Sequence, residues 1–470
     1  MCAIIGISGL DEAAVSVAVG LHALQHRGQE AAGIISFDGE RLHEHRQTGL
    51  SGGIFTPAVL ESLPGRAAIG HDRYSTSGVK QHDAVLQARD AQPMASFFAF
   101  GSLAIAHNGN LTNEKELRHG LMRAGHLFQS EVDTEVALKL IGSALGETLL
   151  DRMQTALLLL EGAYSLIMLT NRKLIGVRDP LGIRPLVLGR LNGAFVLSSE
   201  TCALSALNAT FVREVEPGEI VIVEDGDITS HRFTEVKPRR PCIFEYVYFS
   251  RPDSVSEEKD IYAVRKALGC ELAKEAPADV DMIVPIPDSG NPAALGFSQQ
   301  SGIPFELAIV RNHYVGRVFI QPTQQERGKN VALKLSPNER LLKGKSIVLV
   351  DDSLVRGTTA KRVITRLKEI GVREVHLRIT SPPWRHGCYY GIDEADPQRR
   401  VAKPRTTQAE VEAYVREITG ATSVAYLSLD GMYRAVYGTA RNSACPQACD
   451  ACFTGDFPTA LTDTFAGRIH

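Results

Sequence analysis

No stretch of this chain is apolar for long enough to cross a bilayer. The most apolar run, Ala156–Leu169, is broken by Glu161, Gly162 and Ser165. It also falls short of the ~20 residues a spanning helix needs. No basic segment precedes an apolar one at the N-terminus, so no signal peptide is expected and the location reads as cytoplasmic. An excess of one charge is missing too. Lysine plus arginine number 51 and aspartate plus glutamate 54, for a net charge of −3. That balance excludes the basic footprint of a nucleic-acid binder and the polybasic patch of a membrane-surface protein. Any anionic ligand must be caught locally, by loops and helix ends. There is no internal repeat and no low-complexity tract. What remains is 470 residues, 44% of them hydrophobic, enough for two or three domains with sizeable cores.

The chain has eight cysteines: Cys2, Cys202, Cys242, Cys270, Cys388, Cys445, Cys449 and Cys452. In a large cytosolic chain such a set points to metal binding or catalysis rather than disulfides. Three of them crowd into one short tail.

The pattern along the chain divides it in two. Up to about residue 237, short apolar runs alternate with turn signals. They are Cys2–Ser8, Ala31–Phe37, Ala67–His71, Leu103–His107, Tyr164–Leu169, Leu174–Arg178, Ala194–Ser198 and Glu219–Val223. Helical spacing appears in Ala13–Leu24, Asp133–Leu145 and Thr148–Leu160. Many short strands with few helices predict sheets packed face to face under covering helices. From about residue 258 the order becomes helix Ile261–Glu275, strand Asp281–Ile286, helix, strand Ser346–Asp351, helix Thr358–Ile370 and strand Glu374–Ile379. This is the βαβ signature of a parallel sheet. Lys237–Pro241 (KPRRP) reads as the linker. The expected domains are therefore 2–237 and 238–470.

Cys2 follows Met1 directly. A small second residue permits removal of the initiator methionine, which leaves Cys2 with a free α-amine. A free thiol titrates near ~8.5 and an α-amine near ~7.7–8.0, so a terminal cysteine carries a general base beside its nucleophile. Alone, Cys2 reads equally well as a small apolar residue starting a strand. Three segments bear on that choice: LQHRGQE at Leu24–Glu30, GHDRYSTSG at Gly70–Gly78 and AHNGNL at Ala106–Leu111. Each ends an apolar run, where loops carry function. Asn108 and Gly109 supply an amide side chain and a backbone N–H, the donors of an oxyanion hole. Arg73 suits an α-carboxylate, which a guanidinium fork binds bidentately. Asp133, within SEVDTE, suits an α-ammonium. The plainer readings are a hairpin turn for Asn-Gly and a helix cap for Asp133.

Taken in this order, MCAIIGI, QHRGQE, GHDRYSTSG, HNGN and VDTE resemble the N-terminal-nucleophile (class II) glutamine amidotransferases. RDPLGIRPL at Arg178–Leu186 and the SSE of Ser198–Glu200 extend the likeness. The resemblance implies an αββα glutaminase domain. In it Cys2 is the nucleophile and its amine the base. Asn108 and Gly109 form the oxyanion hole, and Arg73 and Asp133 bind glutamine.

Ser346–Thr359 reads SIVLVDDSLVRGTT, a buried-strand run ending in paired acids, then a small-residue loop and a helix start. The free N–H groups of such a loop cradle phosphate. Asp351 and Asp352 are placed for ribose hydroxyls or Mg²⁺. The segment resembles the phosphoribosyl pyrophosphate (PRPP) signature of type I phosphoribosyltransferases. That likeness implies PRPP contacts from Asp351, Asp352, Ser353, Arg356, Gly357, Thr358 and Thr359. It makes Asp288, Ser289 and Gly290 the pyrophosphate loop, and places one Mg²⁺ per subunit on Ser289, Asp351 and Asp352. Arg311–Leu335 resembles the family's lid, with Arg317, Gln324, Arg327 and Lys334 present and Val318 where threonine is usual.

A glutaminase half followed by this second half, joined by CIFEYVYFSRPDS at Cys242–Ser254, resembles the amidophosphoribosyltransferases. The implied reaction makes 5-phosphoribosylamine from glutamine and PRPP. Feedback inhibition by purine nucleotides and a homotetramer are implied as well. A glucosamine-6-phosphate synthase would need sugar-isomerase domains, and an asparagine synthetase an SGGxDS-type loop; neither is present. The Cys449-x-x-Cys452 pair alone suits zinc, redox chemistry or iron–sulfur. Resemblance to the iron–sulfur type implies one [4Fe–4S] cluster per subunit on Cys242, Cys388, Cys449 and Cys452, with Cys445 a bystander.

Overall fold

The structure is a computed structural model that describes residues 1–74, 89–312, 335–392 and 400–463. Its first half carries strands β1 (Ala3–Ser8), β2 (Ala31–Phe37), β3 (Leu42–Thr48), β4 (Ala67–Arg73), β5 (Met94–Phe98), β6 (Gly101–Leu111), β7 (Gly162–Thr170), β8 (Lys173–Arg178), β9 (Val187–Leu191), β10 (Ala194–Ser198), β11 (Thr210–Glu214), β12 (Glu219–Glu224) and β13 (Asp227–Arg232). They form two sheets, ordered β11-β9-β10-β1-β4-β2-β3 and β13-β12-β8-β7-β6-β5. Each recorded pairing within them is antiparallel.

Alternation along the strands shows how the sheets stack. Ile4, Ile69, Ala104, Ala106 and Ile167 share one core between the two sheets. Ala3, Ile5 and Ile7 face the helix Ala13–Leu24 on one outer side. Leu103, Ile105 and Ile175 face the helices Asp133–Ser143 and Leu149–Leu157 on the other. The layers are thus α, β, β, α, as the sequence predicts. Several elements lie outside that prediction. Exposed or half-buried strands β3, β11 and β13 lack a strong apolar signal. The HNGN segment is not a loop: β6 runs straight through Asn108 to Leu111.

The second half begins with the short hairpin β14 (Val255–Ser256) and β15 (Lys259–Asp260). The helix Ile261–Glu275 follows, capped by the Asp260 side chain, which accepts from Ala263 N at 2.7 Å. β16 (Met282–Pro285) then pairs with β19 (Ser346–Asp351), β20 (Glu374–Ile379) and β21 (Ser423–Tyr426) in a four-stranded parallel sheet of that order. β17 (Ile309–Arg311) and β18 (Leu335–Pro337) form a separate pair. The parallel strands are near-continuous apolar runs because helices cover both faces. Among the described residues no helix is long and apolar enough to cross a membrane.

Two glycines set the spacing at the front of this sheet. A Cβ on Gly269 would lie 1.8 Å from the Ala293 carbonyl oxygen, and one on Gly296 would lie 2.0 Å from that of Lys266. The helix Ile261–Glu275 therefore lies backbone to backbone on the helix Asn291–Ser301. The latter starts directly after the Asp288–Gly290 turn, so this contact fixes the turn. Gly269→Ala should lower stability by about 1–3 kcal/mol through overpacking and raise the KM for PRPP. Thermal melting and a PRPP titration measure the two effects, and an unchanged melting temperature would refute the contact's importance.

Candidate active sites

Strand register brings the first constellation together. Ala3 pairs with Asp72 across β1 and β4, which sets Cys2 opposite Arg73. With a period of two, Cys2 shares the inner face of its sheet with Ile4, and Arg73 shares it with Ile69. Asn108, two residues beyond Ala106, shares the facing inner surface of the second sheet. Asp133 arrives from the helical layer at the first residue of its helix. All four side chains are buried.

Cys2 Sγ accepts a bond from Tyr74 N at 3.5 Å and faces the Tyr74 carbonyl at the same distance. Burial pushes its thiol up, while Tyr74 and Arg73 pull the other way. The thiol therefore needs a base to react. Arg73 is held by Asp90, with Nη2 to Oδ2 at 3.2 Å. Burial also pushes Asp133 up, but His107 and the Leu111 and Thr134 amides more than offset it, so its carboxyl stays below the usual range. Its Oδ2 accepts from Leu111 N at 2.9 Å and its Oδ1 lies 3.4 Å from His107 Nδ1. Asp133 does not cap its own helix; Val132 takes that position. Asn108 is fully buried, yet neither its Oδ1 nor its Nδ2 has a hydrogen-bond partner among the described residues. Such an amide is costly unless a ligand completes it. Gly109 has φ +151°, and a Cβ there would lie 1.9 Å from the Ala163 carbonyl oxygen. The Ser75–Gly78 part of GHDRYSTSG lies outside the described residues.

Several groups beside this site went unassigned in the sequence. Arg27 Nε donates to the Cys2 carbonyl oxygen at 3.2 Å. The same guanidinium bonds Glu245 at 2.7 and 3.0 Å and also Glu200. Arg184 reaches Glu245 Oε1 at 3.2 Å and the Met1 sulfur. Each of these residues sits inside a recognised motif (QHRGQE, SSE, RDPLGIRPL, CIFEY), but only the fold shows that they meet.

The second constellation lies at the carboxyl ends of β16 and β19, where open α/β sheets bind ligands. Asp352 accepts from Ser353 Oγ at 2.6 Å and is also hydrogen-bonded by Ser289, which ties the two loops together. Gly290 approaches so closely that a Cβ would lie 2.7 Å from the carbonyl oxygens of Ile286 and Val350. Asp288 is exposed and pairs with Arg311 at 2.8 Å. Gly357, at φ +72°, turns the chain into the helix Thr358–Glu369, so the segment from Ser353 to Thr359 wraps that helix start. Burial and mutual repulsion push Asp351 well above the ordinary carboxylate range. Burial also raises Asp352, restrained by Ser289, Ser353 and Arg265. The lid residues Arg317, Val318, Gln324, Arg327 and Lys334 lie outside the described residues.

The cysteines meet at the joint between the halves. Cys242 and Cys449 run side by side, with Ile243 N donating to the Cys449 carbonyl at 3.1 Å. Cys452 accepts at its carbonyl from Arg385 N and His386 N, each at 2.9 Å. Cys388 packs against the same core and its sulfur accepts from Tyr390 N at 3.3 Å. Phe244, Trp384 and Phe453 form an aromatic wall there. Burial pushes the Cys242 thiol up to about 11, against the pull of Arg184. Cys445 is exposed. Among the described residues no three His, Cys, Asp or Glu side chains converge as they would around a single metal ion.

Two family models match the chain: a glutamine amidotransferase domain over residues 79–206 and a phosphoribosyl transferase domain over residues 254–396. The amidophosphoribosyltransferase of Rhizobium etli is 50% identical over 468 residues, 98% of this chain and 92% of that one. That of Bacillus subtilis is 42% identical over 461 residues, 98% of this chain and 94% of its own. A solved structure described as B. subtilis glutamine phosphoribosylpyrophosphate amidotransferase complexed with ADP and GMP superposes with a TM-score of 0.89 at 41% identity, covering 98% of each chain. Another, described as the allosteric regulatory enzyme of purine biosynthesis, gives a TM-score of 0.90, also at 41% identity, covering 98% of this chain and 97% of its own.

The paired acids yield a prediction with a definite sign. A carboxyl raised above its unfolded value favours the folded chain while protonated. Its ionisation costs stability as pH rises from about 4 through the folded value. Without Mg²⁺ or phosphate, Asp352→Asn should therefore raise stability at pH 7.5 by about 0.5–2 kcal/mol, and the gain should shrink near pH 4. Melting curves in chelator at the two pH values decide this, and a lower melting temperature at pH 7.5 would contradict it.

Proposed function

The chain belongs to the amidophosphoribosyltransferase family, and we propose a residue-level account of how it makes 5-phosphoribosylamine, the first committed step of de novo purine biosynthesis. Glutamine, PRPP and water give the amine, glutamate and pyrophosphate. Residues 2–237 form the glutaminase domain and 238–470 the phosphoribosyltransferase domain. The observation behind this division is that β13 ends at Arg232 and Lys237–Pro241 carries no strand or helix.

In the first site Arg73 takes the glutamine α-carboxylate and Asp133 the α-ammonium. Cys2 Sγ attacks the side-chain amide carbon, and its proton passes to the α-amine. A terminal amine buried here is a fit base: that of Met1 is lowered to about 5, chiefly by burial. Once Met1 is removed, the free amine is that of the buried Cys2. The oxyanion settles on Asn108 Nδ2 and Gly109 N–H. Collapse of the intermediate releases ammonia, with the proton returned to it from the amine, and leaves a thioester. Water then hydrolyses the thioester to glutamate. The observation that carries this reading is the buried, unpartnered Asn108 amide on the face opposite Cys2.

In the second site Asp351 and Asp352 hold the ribose hydroxyls. Ser353, Arg356, Gly357, Thr358 and Thr359 hold the 5-phosphate, and Asp288, Ser289 and Gly290 receive pyrophosphate. Ammonia attacks C1 as the pyrophosphate oxygen departs. Positioning and charge stabilisation carry this step. Ser289, Asp351 and Asp352 form an oxygen-rich, charge-repelling set that fits one Mg²⁺ per subunit. When bound, the ion neutralises charge on the leaving pyrophosphate. The raised acid pair is the observation that supports it.

Cys242, Cys388, Cys449 and Cys452 supply four soft donors in one dry core, the donor chemistry of a [4Fe–4S] cluster. When bound, one cluster per subunit cross-links the joint. Purine nucleotides acting as feedback inhibitors at the Asp351–Thr359 site fit the ADP and GMP in the B. subtilis complex. A homotetramer completes the reading.

Cys2→Ala should lose glutamine-dependent pyrophosphate release by at least about 10³-fold and keep turnover with added ammonia within about threefold. Retained glutamine use would overturn the nucleophile assignment. Protein purified without air should be brown and hold about four irons per chain. Its only tryptophan, Trp384, should change emission when the iron is removed. Colourless protein with stoichiometric zinc would refute the cluster.

A further inference from the structure

Gly109 is covered on one side by its own sheet and on the other by a segment of the second half. Within β6 and β7 the Ala163 carbonyl presses against the Gly109 Cα. From the opposite direction comes Tyr389-Tyr390-Gly391, directly after Cys388. Gly391 has φ +118°, and a Cβ built there would lie 3.2 Å from the Gly109 carbonyl oxygen, 3.3 Å from the Gly109 carbonyl carbon and 3.3 Å from Arg184 Nη2. A side chain at 391 would thus fit only tightly against the Gly109 backbone.

This segment is fastened at Tyr389 and Tyr390. The Tyr389 carbonyl accepts from Asn110 Nδ2 at 3.0 Å. The Tyr390 carbonyl accepts from Arg184 twice, from Nε at 2.9 Å and Nη2 at 2.6 Å. The Tyr390 hydroxyl lies 2.9 Å from Thr459 Oγ1 and accepts from Thr459 N at 3.1 Å. Arg184 is itself fully buried and anchored on Glu245. Such bonds hold a backbone to a fraction of an ångström, the tolerance an oxyanion donor requires.

We infer that Gly391 is a positioning residue for the glutaminase reaction. The 389–391 backbone of the second half, held by Arg184 of the first, packs on the Gly109 carbonyl and so restricts how the Gly109 backbone, and with it the donor N–H, can turn. The inference rests on the assignment of Gly109 as an oxyanion donor. It makes the glutaminase site incomplete without residues more than 250 positions away in sequence, as the 391 − 109 = 282 separation shows. A methyl group at 391 would meet the Gly109 carbonyl at 3.2 Å as well as the left-handed backbone requirement, so either the Gly109 peptide or residue 391 must give by a few tenths of an ångström.

The test uses the full-length protein and compares Gly391→Ala, Asn110→Ala and Asn108→Ala with wild type. Glutamine-dependent and ammonia-dependent PRPP turnover, the glutamine KM and thermal melting are read for each. Gly391→Ala should lower the glutamine-dependent kcat by about 10–100-fold. Its glutamine KM and ammonia-dependent rate should stay within about threefold. Asn110→Ala keeps the glycine and removes the Tyr389 bond, along with the Asn110 Nδ2 bond to the Leu111 carbonyl at 3.2 Å, so it should show the same pattern at about threefold to tenfold, even if Gly391→Ala fails to fold. An unchanged glutamine kcat in both variants would overturn the inference. So would a rise in KM alone, or an equal fall in both activities. Asn108→Ala separates the two levels: if it leaves the glutamine kcat intact, the oxyanion-hole reading falls first.

Discussion

The joint between the two halves depends on a group of buried charges that must remain paired. Arg27, Glu200, Glu245 and Arg184 are almost wholly buried. Burial alone would drive each towards neutrality, yet His26 and Arg27 keep Glu200 low, Arg27 and Arg184 keep Glu245 low, Glu245 and Glu200 keep Arg27 high, and Cys242 with Glu245 keeps Arg184 high. A buried pair of this kind is weak evidence for stability, but removing one member strands the others at a cost of several kcal/mol. Its effect here is geometric. Arg27 holds the Cys2 carbonyl, Arg184 holds Tyr390, and Glu245 holds both arginines. Ser250 extends the set: its hydroxyl donates to Glu245 and its carbonyl accepts from Arg265, which feels the charge of Asp352. Cys2, the Tyr390 backbone beside Cys388 and the Asp352 loop are thus linked through one buried network.

Strand register does the rest of the positioning. Because the side-chain period is two, a slip of one residue in β1 would turn Cys2 towards the helix Ala13–Leu24 and Ala3 towards the site. The slip is blocked by the close fit of Gly6, whose Cβ would lie 2.7 Å from Ile167 Cγ2. The same alternation puts Asp72 on the outer, helix-facing side, fully buried and without a hydrogen-bond partner among the described residues. Burial alone holds its carboxyl well above the ordinary range. It is an acid in the core, next in sequence to Arg73 on the inner face.

Much of this was legible in the sequence for identifiable reasons. Helix Ala13–Leu24 and strands Ala31–Phe37 and Ser346–Asp351 have the predicted limits, because their apolar spacing or runs are unbroken. Cys2, Arg73, Asn108 and Asp133 were nameable because their residue types suit an amino-acid substrate, and the fold brings all four together. The plainer hairpin reading of Asn108-Gly109 does not hold: the pair lies inside β6. There the glycine answers a close approach by Ala163 rather than a turn. Exposed strands such as β13 (DITSHR) were invisible because few of their residues are buried. The positions of Arg27, Arg184, Glu245 and Gly391 could not be read at all. Each depends on a contact with residues more than 200 positions away, and local spacing carries no trace of such contacts.

The C-terminal segment closes back on the first half. Thr112 Oγ1 donates to the Ala460 carbonyl, Thr462 Oγ1 to Glu161, and Lys115 N to Asp463. During synthesis the chain emerges from its N-terminus at about 5–20 residues per second. The glutaminase sheets can pair early, since all their strands lie before residue 233. Their surface around Thr112 and Glu161 stays open until some of the last residues leave the ribosome. Cys242 likewise waits for Cys449 and Cys452. The order of synthesis therefore leaves this face of the first half uncovered until the second half is present.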